Sequence, residues 1–162
     1  MSSTPIKIDG IGTRKDGSGG EVANFANYKR FVRLYATEAI ALGDCVSFNM
    51  SISTNGVCNH VQIGDKDQAG KECVVGIAVE AAAASGDLIK IQVAGLCEVA
   101  KLLDLNDAVG EMVGLSTTAG QLTEIIERDS TGNYQVMVGY IAVEGSAGAA
   151  DSSVWLLNPA SL

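Results

Sequence analysis

Apolar and polar residues alternate with a period of two along most of this chain, the period of β-strands. The clearest case is 44–53: Val46, Phe48, Met50 and Ile52 point one way, and Ser47, Asn49, Ser51 and Ser53 the other. Asn55-Gly56 follows, a two-residue hairpin signal because both residues tolerate positive φ. Val57, Asn59, Val61 and Ile63 then form the return strand, and 64–71 a polar, solvated loop. Residues 28–36 set Val32, Leu34 and Ala36 against Phe31, Arg33 and Tyr35, a strand with two partly covered faces. Residues 88–94 set Ile89, Ile91 and Val93 against Lys90 and Gln92, a strand with one wet face. The alanines of 81–86 make a small-residue turn or one helical turn. Helical spacing occurs only at Val99, Leu102 and Leu103, which predicts at most two turns over 98–106. Further strands are expected over 111–115, 121–127, 134–144 and 154–157, with a turn at 129–133 and Trp155 as a core anchor.

Around one stretch the rest is organised. Val74-Val75-Gly76-Ile77-Ala78-Val79-Glu80 is short, apolar and β-branched, a buried strand in which Gly76 admits a neighbouring backbone. The stretch returns as Val138-Gly139-Tyr140-Ile141-Ala142-Val143-Glu144, with one residue inserted after the glycine, and the shared Ile-Ala-Val-Glu lies 141 − 77 = 64 residues on. Gly56 and Gly120 keep the same offset, 120 − 56 = 64. Ala41-Leu42-Gly43-Asp44-Cys45-Val46 resembles Ala108-Val109-Gly110-Glu111-Met112-Val113 at 108 − 41 = 67. The expected architecture is all-β: two related β units, about 41–95 and 108–157, inside a single domain 28–162. At most one or two short helices accompany it. Residues 1–27 form an extended N-terminal arm, polar and glycine-rich, that needs a partner surface to become ordered.

Charge and composition narrow the functions. The 162 residues are one domain's worth, and 47% apolar content supplies a real core. Net charge is −8, which argues against a nucleic-acid face, although Lys7, Arg14, Lys15, Lys29, Arg30 and Arg33 make the start of the chain basic. No apolar run approaches the ~18 residues of a membrane span, and no signal peptide is expected. Cys45, Cys58, Cys73 and Cys97 form no C-x-x-C pair, so they read as reduced thiols of a protein made in the cytosol rather than as metal ligands.

No catalytic constellation emerges. His60 is the single histidine, and Cys58 two residues before it gives only a weak dyad on one strand face. Asp65-Lys66-Asp67-Gln68-Ala69-Gly70 partly matches a calcium loop, but Ala69 stands where an oxygen ligand is required and Glu72 comes too early. Catalytic residues, cofactor and metal are therefore all expected to be absent.

The motifs Leu42-Gly43-Asp44-x-Val46, Val75-Gly76-Ile77-Ala78, Ser85-Gly86-Asp87-Leu88-Ile89-x-Ile91-x-Val93-x-Gly95, Val109-Gly110-Glu111-x-Val113 and Val138-Gly139-Tyr140-Ile141-Ala142 follow a polar arm in a small acidic β protein. In this combination the chain resembles the head decoration (cement) proteins of tailed bacteriophages, over roughly residues 35–157. The resemblance implies a compact β-barrel or β-tulip-like domain and a homotrimer bound to the major capsid protein on the outer surface of the virion, bracing the shell against DNA pressure, with no catalytic residues. It also implies capsid contacts through the arm. Chain position alone puts these at Ile6, Ile8, Ile11, Arg14 and Lys15, with Ile6 and Ile8 spaced as an added strand requires. The alternatives are another phage structural subunit, of the tail tube or baseplate, and a trimeric β-barrel carbohydrate-binding module.

Overall fold

A computed structural model describes residues 13–15, 21–23, 29–52, 58–103, 108–125 and 137–157. Among the described residues there are eleven strands and no helix: β1 (Thr13–Lys15), β2 (Glu21–Ala23), β3 (Arg30–Ala36), β4 (Cys45–Phe48), β5 (His60–Ile63), β6 (Val74–Ala78), β7 (Leu88–Ala100), β8 (Met112–Leu115), β9 (Leu122–Glu124), β10 (Met137–Val143) and β11 (Ser152–Leu156). The strands β1 and β2 pair with each other. The other nine form one sheet in the order β3-β5-β4-β6-β7-β11-β10-β8-β9, and an added β3–β7 pairing closes the first five into a barrel. The remaining strands curl the same way. The second part of β7 pairs with β11, and a parallel bridge from Leu102 to Leu122 brings β9 back to the chain just past β7. The all-β fold expected from the alternation, with the barrel that the resemblance implies, is the observed architecture.

The two rings share the bonds of their opening turns and of their closure. In the first, Gly43 N–H donates to Ala78 O at 2.9 Å, Ala78 N–H to Asp44 O at 2.9 Å, and the Asp44 carboxylate caps Ala41 N–H at 2.7 Å. In the second, Gly110 N–H donates to Ile141 O at 2.8 Å, Ile141 N–H to Glu111 O at 2.9 Å, and Glu111 caps Ala108 N–H at 2.6 Å. The bulge between β4 and β6, where Val46 faces Gly76 and Ser47 faces Val74, recurs between β8 and β10, where Val113 faces Gly139 and Gly114 faces Met137. Closure repeats too: Thr37 N–H donates to Val61 O, and Leu103 N–H to Leu122 O, each at 2.8 Å.

This register corrects the alignment read from the sequence. Ile77 and Ile141 lie in corresponding strands, but Ile77 pairs as Tyr140 does, and Ala78 bonds as Ile141 does. The extra residue sits not after the glycine but at the bulge between Ile141 and Val143. The Gly56 partner of Gly120 lies outside the described residues.

Each ring has its own core. Val46, Val61, Val75, Ala78 and Ile91 fill the first, and the matching Val113, Leu122, Val138, Ile141 and Val154 fill the second. Gly76 and Gly139 are required for a shared reason. A Cβ at Gly76 would strike the Gln92 carbonyl, and one at Gly139 the Trp155 carbonyl, both on the adjacent strand.

Several expectations fail locally. Residues 98–100 continue β7 instead of opening a helix; Leu102 then bridges to Leu122, and 104–107 lie outside the described residues. The strand over 44–53 stops at Phe48, because the Asn49 side chain accepts Ser51 N–H at 3.1 Å and turns the chain. Ser47 is buried, its hydroxyl donating to Lys71 O, whereas Met50 and Ile52 are exposed. The loop over 64–71 is not wholly solvated: Asp65 is buried. Trp155 is half-buried on the outer face of β11 and belongs to neither core.

Gly76→Ala and Gly139→Ala should each destabilise the protein by about 1–3 kcal/mol, the cost of forcing extra volume between fixed backbones. Urea unfolding should show a lower midpoint at unchanged slope. A loss below about 0.5 kcal/mol would mean that the strands part without cost.

Candidate interaction surface

Of the residues assigned to shell contact, Ile6, Ile8 and Ile11 lie outside the described residues. Arg14 and Lys15 lie in β1, paired with Val22 and Glu21 of β2. The stretch read as an arm without secondary structure thus contains a short antiparallel ladder. The signal for it was the glycine-rich run 16–20 between two short segments.

The candidate chemistry does not assemble. Cys58 and His60 turn to different partners: Cys58 Sγ meets Met50 Sδ at 3.7 Å, and the His60 ring lies against Tyr35 at 5.7 Å between centroids. In the loop with calcium-like spacing, Asp65 Oδ1 accepts Asp67 N–H at 2.9 Å, a turn role. Among the described residues no group of three or more His, Cys, Asp or Glu could hold a metal ion. A cavity of about 30 Å³ between the rings is lined by Val74, Val75, Val93, Met137, Val138 and Leu156. It is apolar and room for little more than one water.

What the surface does offer is apolar side chains in rows. Met112, Tyr140 and Trp155 face one another across β8, β10 and β11. Met112 is 44% exposed, Tyr140 37%, and Val109 and Val143 flank them in solvent. On the first ring Tyr35, 42% exposed, stands beside the exposed Leu88 across β3 and β7, while Val32 at 36%, on the other side of β3, and Met50 at 54% are exposed as well. Sequence reading placed Tyr140 in a strand without the side of the sheet it occupies, and took Trp155 for a core anchor. Their alternation with the buried Val154, Leu156 and Ile141 was the available signal.

No family model matches the chain, and no curated protein does. Among solved structures, one chain of "The capsid of Myoviridae Phage XM1" superposes with a TM-score of 0.53 at 15% identity, over 98% of this chain and 99% of that one. At that identity the likeness is one of fold.

The cysteines should divide by burial. Cys45 and Cys97 are buried and Cys58 and Cys73 exposed. Burial pushes the Cys45 thiol far up, with Asp44 and Cys97 adding to it, and burial likewise raises Cys97. Since the thiolate is the reactive form, a disulfide reagent at pH 8 should titrate two of the four thiols quickly in the native state, and all four after denaturation. Four fast thiols in the native protein would contradict this packing.

Proposed function

We propose that this protein is a structural component of a tailed-phage virion, a decoration (cement) protein bound as a homotrimer to the major capsid protein on the outer surface of the head. The observation that carries the proposal is the full-length fold likeness to a chain of a phage capsid structure. It agrees with the motif resemblance over residues 35–157, reached independently from the sequence. A small rigid β domain with exposed apolar rows and no assembled reactive cluster among its described residues suits a bracing role. Cryo-electron microscopy of the particle tests this. Density for the protein on the outside of heads supports the reading, and density confined to the tail replaces it with a tail-tube or baseplate role.

The N-terminal segment is the proposed grip, through Ile6, Ile8 and Ile11 with Arg14 and Lys15 beside them. Removing residues 1–20 should release the protein from particles while lowering its thermal midpoint by less than about 8 °C, because β1 pairs with β2 and is no part of the nine-stranded sheet. Exposed ion pairs contribute only about 0–1 kcal/mol each, so apolar and backbone contacts should dominate. Ile6→Ser with Ile8→Ser should therefore cost more occupancy than Arg14→Ala with Lys15→Ala. Wild-type occupancy should hold up to about 0.5 M salt, where the Debye length is well under 10 Å. Pull-down of particles with quantified stain reads both, and release by salt alone would establish an electrostatic grip instead.

A further inference from the structure

Within the chain, the first ring docks on the second through one defined face. Its outer row Cys45, Ile77 and Gln92 is buried at 0%, 0% and 2%, and Cys45, Ile77 and Val79 pack into the second ring's core cluster. Around them Cys45 N–H donates to Gly120 O at 2.7 Å, and Gly120 N–H to Gly64 O at 2.8 Å. Asp44 Oδ1 accepts from Lys101 Nζ at 2.7 Å, and Gly43 lies directly under the Val99 carbonyl. The contact is heterologous. The first ring uses the edge of β4 and β6; the second uses the end of β7 and the turn after β8.

The side chains of both halves occur a second time, uncovered, although Tyr35 N–H, which stands where Lys101 N–H reaches Gly43 O, is already bonded to Asn59 O within its own ring. By ladder register, Met112, Tyr140 and Trp155 on the second ring stand where Cys45, Ile77 and Gln92 stand on the first. Val143 stands for Val79, and Gly110 for Gly43 with nothing within 4 Å of where its Cβ would be. The receiving side recurs on the first ring. Val32 pairs with Ile91 as Cys97 pairs with Val154. One residue before the closing bridge, Tyr35 takes the place of Lys101. The turn Asn49–Ser51 repeats 116–118, with Ser116 Oγ accepting Thr118 N–H at 2.9 Å as Asn49 Oδ1 accepts that of Ser51. These are the exposed Val32, Tyr35 and Met50.

We propose that copies of this chain join head to tail, the Met112–Tyr140–Trp155 row of one seated against the exposed Val32, Tyr35 and Met50 of the next. The joint repeats between chains the side-chain contact that the two rings make within one. Glu111 replaces Asp44 and Tyr35 replaces Lys101, so a hydroxyl-to-carboxylate hydrogen bond takes the place of the internal ion pair. A heterologous joint propagates from chain to chain until the assembly closes. The pairing needs no shell. Failure of the shell-binding reading appears as absence from particles, whereas failure of this one appears in the purified protein.

The test uses the full chain with Met112→Glu, which blocks one face, and Tyr35→Glu, which sets a carboxylate against Glu111 on the other; Val32→Glu replaces the latter if its melting curve shows unfolding. Masses are read by light scattering behind size exclusion at about 100 µM, enough to populate contacts of lower Kd. The wild type should run as a closed oligomer, and each variant alone at the chain mass of 16.7 kDa. An equimolar mixture of the two should give a species of twice that mass and nothing larger, because each pair retains one intact joint. A monomeric wild type, a folded variant that still assembles, or a mixture that stays monomeric would each overturn the proposal.

Discussion

β7 is one strand that has to satisfy two barrels. Its first part, through Ala94, pairs with β3 and β6, and its second, from Gly95, pairs with β11. Gly95 has φ 86°, a conformation that costs glycine little and other residues much. It sits where the strand leaves one ring for the other. Side chains alternate along its first part, so a slip of one residue there would expel Ile89 and Ile91 from the first core, while Cys97 and Ala100 of the same strand pack in the second. The two cores are therefore held in register by a single backbone. The buried Asp44–Lys101 pair, with side chains 9% and 18% exposed, adds a directional lock at the joint. Removing either partner would strand the other's charge in a poorly hydrated place.

Much of this was legible because period two is a strong local signal. β4, β5, β6, β8 and β10 fall inside the segments that alternation marked, and Gly76 was singled out for the close approach that it makes. The Gly43-Asp44 and Gly110-Glu111 openings were legible because an acidic residue that caps the preceding turn and a glycine that tolerates positive φ are both needed there, φ being 83° and 95°.

What the sequence hid was decided by tertiary pairing. Val99, Leu102 and Leu103 have helical spacing because β7 bulges opposite β11 between Ser152 and Val154, which breaks the alternation. Ser47 is buried although it alternates with apolar neighbours, because the loop after β5 lies over it and Lys71 O accepts its hydroxyl. The inserted residue was misplaced because Ile-Ala-Val-Glu is identical in both halves, whereas a bulge moves register without changing letters. The apolar rows were missed for a related reason: periodicity shows that a face exists, not whether another element covers it.

That last point bears on why the second outer row is apolar. A sheet face left to solvent ordinarily turns polar, as Lys90 and Ser153 do on this chain. The covered row of the first ring carries Cys45, Ile77 and Gln92, small or medium side chains that fit beneath a neighbour. The matching uncovered row carries Met112, Tyr140 and Trp155, larger and more adaptable, with polar tips on two of them. Tyr, Trp and Met are the residues that protein interfaces concentrate, because they supply contact area at small entropic cost and tolerate water until a partner arrives. Folding of one chain gives no reason for them there. A joint between chains does, and the acidity of the chain sets its salt response. At a net charge of −8, copies repel at long range, so screening eases their approach and leaves the apolar contact to hold them. Salt should therefore favour such a joint, the reverse of what contacts between opposite charges would show.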